Sequence, residues 1–240
     1  MEIIYHGHSC VQIRDGDHSI VIDPFLSGNP LSVAKPEDLK VQYVLLTHAH
    51  QDHILDAVPI AKANKAKIVA TFELANYMRW QGAETIEVNM GGTADLGFAK
   101  AKFVQAFHSS GIVLKDEKRM IYGGMPGGFI IQWNGITIYH AGDTALFSDM
   151  KMFGERHTID LACLPIGDKF TMGPDDAVTA AVWLKAKQVL PIHYNTFPAI
   201  KQDAAAFGRL LSEHGIQCIA AVPGERFTLE KRSVIFASAP

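Results

Sequence analysis

The stretch Thr47-His48-Ala49-His50-Gln51-Asp52-His53 sets four metal-ligand side chains within six residues, in the spacing H-x-H-x-D-H. The apolar run from Val41 to Leu46 precedes it, and a helix-like segment begins near Asp52. At the end of a strand, period-two geometry sends His48 and His50 to the same side. Asp52 and His53 follow where the chain turns into the helix, so four ligands crowd one small space. Zinc prefers four ligands and a catalytic zinc leaves one position open, so one ion does not use all four. Two adjacent ions sharing them need help from other parts of the chain. The plain alternative, a solvated histidine-rich loop, fits poorly with this spacing directly after a buried strand.

Upstream, residues 2–5, 10–13 and 19–23 read as short β-rich runs, with Asp15-Gly16 as a turn between the last two. Between the first two lies Gly7-His8-Ser9. His8 is either a plain loop histidine or a site residue, since strand-end loops are where folds keep their sites. Asp23-Pro24-Phe25 closes the third run. A buried carboxylate needs a partner; an imidazole N–H of the metal site or a cap in the following turn would supply one. Residues 26–40 are turn-rich, with one helical turn expected after Pro36.

Downstream, residues 54–64 have helical apolar spacing that Pro59 should kink or shorten. Residues 67–71 and 84–89 read as strands around a helix at 72–81 that Gly82 ends. Residues 91–107 alternate as one long strand or a hairpin, at whose end stands His108-Ser109-Ser110. The segment 115–128 starts charged and finishes glycine-rich, either a mobile loop that orders over substrate or a surface turn. Asn134-Gly135, between 129–133 and 136–140, is a type I′ hairpin signal. It runs into His140-Ala141-Gly142-Asp143-Thr144, where Gly142 lets the backbone approach the metals closely. A helix is expected at 145–153, a strand at 159–166 with Asp168 just beyond it, and a helix from Pro174 to about Leu184. A strand at 187–192 ends in His193. The last long helix is expected at 199–214, and closing strands at 217–222 and 226–229 flank Pro223-Gly224.

H-x-H-x-D-H at a strand end resembles the signature of the metallo-β-lactamase superfamily. The resemblance implies an α/β fold, a four-layer αββα sandwich, with one hydrolase domain over residues 1–240 and a metal site at one edge of the sheets. It also implies three further ligands, a His, a bridging Asp and a last His, and His108, Asp143 and His193 stand where they are expected. On that resemblance His48, His50 and His108 hold one ion, Asp52, His53 and His193 the other, and Asp143 bridges. His140 is left out of the ligand set. Gly7-His8-Ser9, Asp23-Pro24-Phe25, the segment around Asp143, Leu164-Pro165-Ile166-Gly167 with Phe170-Thr171-Met172, and Pro191-Ile192-His193-Tyr194 together resemble the small prokaryotic metal-dependent hydrolases related to the L-ascorbate 6-phosphate lactonases. That likeness spans residue 3 to about residue 229.

The implied chemistry is hydrolysis by a metal-activated hydroxide on a small anionic ester, a phosphodiester or a lactone. Asp52 and His8 are the candidate catalytic side chains, His8 beside the metals to orient substrate or protonate a leaving group. The cofactors are two divalent ions, zinc first, with manganese, iron or nickel also suited to imidazole and carboxylate. Three alternatives bound this reading. A di-iron redox scaffold resembles H-x-E-x-D-H, whereas His50 stands at the second position here. A non-catalytic metal-binding scaffold is another. A nuclease would need a basic surface, whereas 22 basic residues face 25 acidic ones for a net charge of −3. Cys10, Cys163 and Cys218 form no C-x-x-C pair and read as reduced core residues, the N-terminus shows no leader pattern, and no apolar run matches a membrane span. The expected setting is cytoplasmic, away from membranes, with a small molecule as partner and a homo-oligomer left open.

Overall fold

Several strands carry apolar residues at every position, which fits strands covered on both faces. In the run Ile20-Val21-Ile22 the first and third side chains point one way and the second the other. The computed structural model describes residues 1–230 and bears this out. The last ten positions of the expected domain, 231–240, lie outside the described residues. Ile20 and Ile22 join the layer between two sheets, and Val21 joins a separate layer under helices. Leu161 and Cys163 likewise face the second sheet's partner, while Ala162 and Leu164 face the opposite helices.

In chain order the first half runs β1 (Glu2–Gly7), β2 (Cys10–Asp15), β3 (His18–Ile22), β4 (Tyr43–Leu45), α1 (Gln51–Ile54), α2 (Ala57–Asn64), β5 (Lys67–Ala70), α3 (Phe72–Trp80) and β6 (Glu84–Glu87). The second half runs β7 (Thr93–Asp95), β8 (Lys100–Gln105), β9 (Gly111–Leu114), β10 (Arg119–Tyr122), β11 (Gly127–Trp133), β12 (Ile136–His140), α4 (Met150–Arg156), β13 (Leu161–Pro165), α5 (Pro174–Trp183), β14 (Gln188–Ile192), α6 (Ala204–Glu213), β15 (Gln217–Cys218) and β16 (Arg226–Thr228). One seven-stranded sheet has the order β16-β1-β2-β3-β4-β5-β6, the other β15-β14-β13-β12-β11-β8-β7. Helices α2 and α3 cover the first sheet, and α4, α5 and α6 cover the second. The result is the expected αββα sandwich.

Within each sheet β3-β4-β5-β6 and β12-β13-β14-β15 are parallel. Parallel strands present their carboxyl ends at one edge, where ligand sites of α/β sheets collect. His48, His50, Asp143 and His193 all follow such ends. The Asn134-Gly135 turn has both residues at positive φ, +48° and +78°, as a type I′ turn requires.

Four expectations need correction. The helix expected at 54–64 is two helices, broken at Asp56 and not at Pro59. The Asp56 carboxylate accepts from the Leu26 and Ser27 amides and the Ser27 hydroxyl at 2.6–2.9 Å, which turns the chain there. Pro59 then sits in the first turn of α2, where its missing N–H costs nothing. The last helix starts at Ala204, because Asp203 caps it through the Ala205 and Ala206 amides. The helix expected at 145–153 starts at Met150, since the Ala145 amide is held by the Phe107 carbonyl. The segment 115–128 contains a strand as well as the exposed turn that is one of its two expected alternatives. Lys115–Lys118 is the tip of a two-stranded ribbon, β9 against β10. Gly123 ends that ribbon where an added Cβ would overlap Ala49 of the histidine motif.

Candidate metal centre

β4 delivers Leu46 into the sheet, its amide held by the Val69 carbonyl, and Thr47 begins the departure from it. His50 has extended backbone at the start of α1, and Asp52 and His53 occupy that helix's first turn. Asp143 arrives from β12 across the sandwich, and His193 from β14. Gly142 takes φ +63°, and a Cβ there would meet the Gly127 carbonyl and Thr47 at 2.6–2.8 Å. Its role is therefore close packing between the two sheets, with the approach made to Thr47 and Gly127. His108 follows β8 and is stapled to the motif, because the Ser110 hydroxyl accepts from the Ala49 amide at 3.1 Å.

The seven residues named from the sequence, and His8, converge into two adjoining groups. His48, His50, His108 and Asp143 bring ligand atoms within 4.8 Å of one another, and so do His8, Asp52, His53 and His193. One atom touches both groups. Asp143 Oδ2 lies 3.9 Å from His48 Nε2, 3.6 Å from His108 Nε2, 3.3 Å from His53 Nε2 and 3.0 Å from His193 Nε2. His50 Nδ1 lies 3.0 Å from His48 Nε2 and 3.3 Å from His108 Nε2.

Asp23 decides which nitrogens face inward. It can only accept, so the Thr47 hydroxyl donates to its Oδ2 at 2.6 Å, and His53 Nδ1–H donates to the same oxygen at 2.8 Å. The Thr47 oxygen must then accept from His48 Nδ1–H at 3.0 Å. With both Nδ1 positions engaged, it is the Nε2 atoms of the two imidazoles that are aimed at Asp143. This is the carboxylate–histidine arrangement that orients metal ligands. Of the two sources of a partner for Asp23, the metal-site imidazole is the one observed.

The donor set fits divalent ions on three counts. Ligands of a tetrahedral ion at about 2.0–2.1 Å stand roughly 3.3 Å apart, close to the spacings above. Buried His53 Nε2 makes no hydrogen bond, a costly state that coordination would relieve. Charges are also poised for a cation. Burial opposes ionisation of Asp143, yet His193 and His53 outweigh it and hold the carboxyl well below the usual range. Burial likewise opposes a charge on His53, but Asp143 and Asp23 push its pKa well above the ordinary imidazole value. A proton on His53 occupies the place a metal would take, and binding would release it.

His8 lies deeper than its loop position suggests. It is fully buried, with Nε2 3.1 Å from Asp52 Oδ2 and Nδ1 2.9 Å from the Thr196 hydroxyl. Burial is the largest influence on it and lowers its pKa to about 4. Burial raises the Asp52 pKa, while the hydrogen bond from His8 and the fields of His53 and His8 pull it lower still, for a net downward shift. The backbones of His8 and His193 are joined, the His193 amide donating to the His8 carbonyl at 2.8 Å. His140 points away, its Nε2–H donating to the Ser9 carbonyl at 3.0 Å. Asp168 is exposed on a turn beyond β13. Sequence reasoning missed Thr196, Ser110 and the role of Thr47. Only Thr47, adjacent to the motif, carried a signal.

Comparison with known proteins gives a consistent picture. Residues 2–193 match the family described as "Beta-lactamase superfamily domain". A UPF0173 metal-dependent hydrolase of Geobacillus thermodenitrificans is 58% identical over 211 residues, covering 88% of this chain and 93% of that protein. One from Bacillus pumilus is 55% identical over 215 residues, covering 90% and 94%. Among solved structures, the metallo hydrolase Igni18 from Ignicoccus hospitalis superposes with a TM-score of 0.86 at 35% identity, covering 96% of this chain and 99% of that one.

Proposed function

This chain belongs to the beta-lactamase superfamily, among its metal-dependent hydrolases, and from that premise we propose a dinuclear hydrolase of a small anionic ester, a phosphodiester or a lactone. The observation that carries the dinuclear reading is Asp143 Oδ2, within 3.9 Å of imidazole nitrogens from both ligand groups. His48, His50 and His108 would hold one ion, Asp52, His53 and His193 the other, with Asp143 between them. Nitrogen-rich ligation suits zinc first. Divalent ions bound there supply Lewis acidity, which polarises the scissile bond and acidifies water.

The chain's own residues divide the remaining work. Asp52 is part-exposed and lines the adjoining cavity, so it is the carboxylate placed to move a proton at the reacting centre. His8, with both ring nitrogens engaged and no exposure, is assigned to holding Asp52, not to touching substrate. Lys62 and Lys115 add cations to the same cavity wall, which favours an anionic substrate. Of the basic cluster on the ribbon tip, Arg119 is instead paired with Glu117 at 2.6 Å.

Metal analysis of the purified chain, joined to turnover on a cyclic nucleotide, an aryl phosphodiester and a sugar-acid lactone, tests this reading. Two ions per chain and turnover of at least one ester are expected. A single ion, or efficient cleavage of a transfer RNA precursor alone, would overturn it. His8→Ala should keep both ions while turnover falls and its pH profile shifts. Loss of metal in that variant would make His8 a ligand or the support of one.

A further inference from the structure

Beside the ligand cluster, a cavity of about 760 Å³ lies between α1, α2, α3 and the β9–β10 ribbon. His50 and Asp52 belong to its lining, so it is continuous with the reacting centre. Much of the remaining wall is hydrocarbon. Ile54 and Leu55 come from α1 and its end, Val58 from α2, Met78 from α3, and Ile112 and Leu114 from β9. Ile54, Leu55, Val58 and Leu114 are only half-buried. The volume lies within the range of pockets that enclose sizeable ligands, far more than a phosphoryl or acetyl group fills. Apolar wall left against water is unfavourable, and covering it with hydrocarbon recovers that cost.

We propose that the substrate carries an apolar arm, a medium-length acyl or aryl chain, which lies in this cavity while its ester bond sits at the His50–Asp52 end. This rests on the hydrolytic reading above and names its substrate class, an amphipathic ester or lactone. Hydrolysis consumes one water. The water oxygen ends on the carbonyl carbon, the carbon–oxygen ester bond breaks, and the leaving oxygen takes up a proton. The anionic character favoured by Lys62 and Lys115 and the apolar arm are compatible, because the wall offers both.

The test compares p-nitrophenyl acetate, butyrate, hexanoate and octanoate on the metal-loaded full chain. The expected result is a rise in kcat/KM of about threefold per added methylene; equal values across the series overturn the proposal. Calorimetric binding of decanoate against acetate gives a readout that needs no turnover. Decanoate bound and acetate not, with no ester turned over, sinks the hydrolytic reading and leaves the arm site standing. Esters turned over with no chain-length gain and no decanoate binding does the reverse. Val58→Trp and Leu114→Trp fill the cavity from opposite walls. Either variant, once thermal melting shows it folded, should flatten the chain-length series and weaken decanoate binding at least on the order of tenfold. A folded variant that keeps the full gain also overturns the proposal.

Discussion

On the floor of the ligand cluster His48 and His53 are both fixed through Asp23, one by way of Thr47 and one directly. On the rim, His50 Nε2 meets the exposed Ser109 hydroxyl at 3.2 Å and no carboxylate fixes the ring, and Asp52 is part-exposed. The floor is buried and its tautomers are dictated by a single carboxylate; the rim faces the cavity. The difference separates two tasks. On the proposed reading the floor ligands are preorganised before a cation arrives, and the rim ligands His50 and Asp52 also keep access to the cavity where substrate would lie.

Removing the atom shared by floor and rim should have the largest effect. Asp143→Ala is expected to empty both ligand groups together and lower turnover on the order of a thousandfold, the scale of several kcal/mol of charge stabilisation. Metal stoichiometry and rates measured on one preparation check it, and a variant with two ions and full activity breaks the idea of a shared oxygen.

Acid should act next, through the buried imidazoles. In the metal-free protein burial lowers His8 to about 4 and also lowers His140. The unfolded chain, with imidazoles near 6.5, takes up protons first as pH falls. The part of the stability that these two imidazoles carry is therefore full above about pH 6.5 and is lost as pH falls toward 4, with His8 alone contributing about 3 kcal/mol, while the raised pKa of His53 acts in the opposite direction. Urea midpoints at neutral pH and near pH 4 test this; identical midpoints would mean that His8 and His140 are hydrated.

The sharpest comparison pairs Asp23→Asn with Ser109→Ala. An amide whose oxygen keeps the Thr47 hydroxyl and the His53 N–H turns its NH2 on the Thr47 backbone N–H, which donates to Asp23 Oδ1 at 2.8 Å. Metal affinity should fall about 10–100-fold, measured by chelator competition. Ser109→Ala removes one exposed contact and should cost about threefold or less. Equal losses would erase the distinction between floor and rim.

The floor was legible in the sequence because its residues recur at the ends of apolar strand runs, where the local pattern carries the information. The Asn134-Gly135 hairpin was legible for the same reason. The ribbon was not. Arg119–Tyr122 lacks an apolar stripe, and it is seated by the contact of Gly123 with Ala49, over seventy positions away in the chain. The break before α2 had a local sign, Asp56 as cap with Pro59 in the first turn, which the helical spacing of residues 54–64 obscured. The cavity has no local sign at all, since its walls come from three helices and a ribbon strand that no periodicity relates.

His8, Asp23 and His193 all adopt left-handed backbone, at φ +54°, +47° and +51°. Such conformations disfavour side chains by about 1–2 kcal/mol each, and glycine relieves the penalty. Selecting this protein for heat resistance alone would therefore tend to replace these positions with glycine, trading reactive chemistry for durability. Their persistence as histidine and aspartate would have to be enforced by selection for turnover.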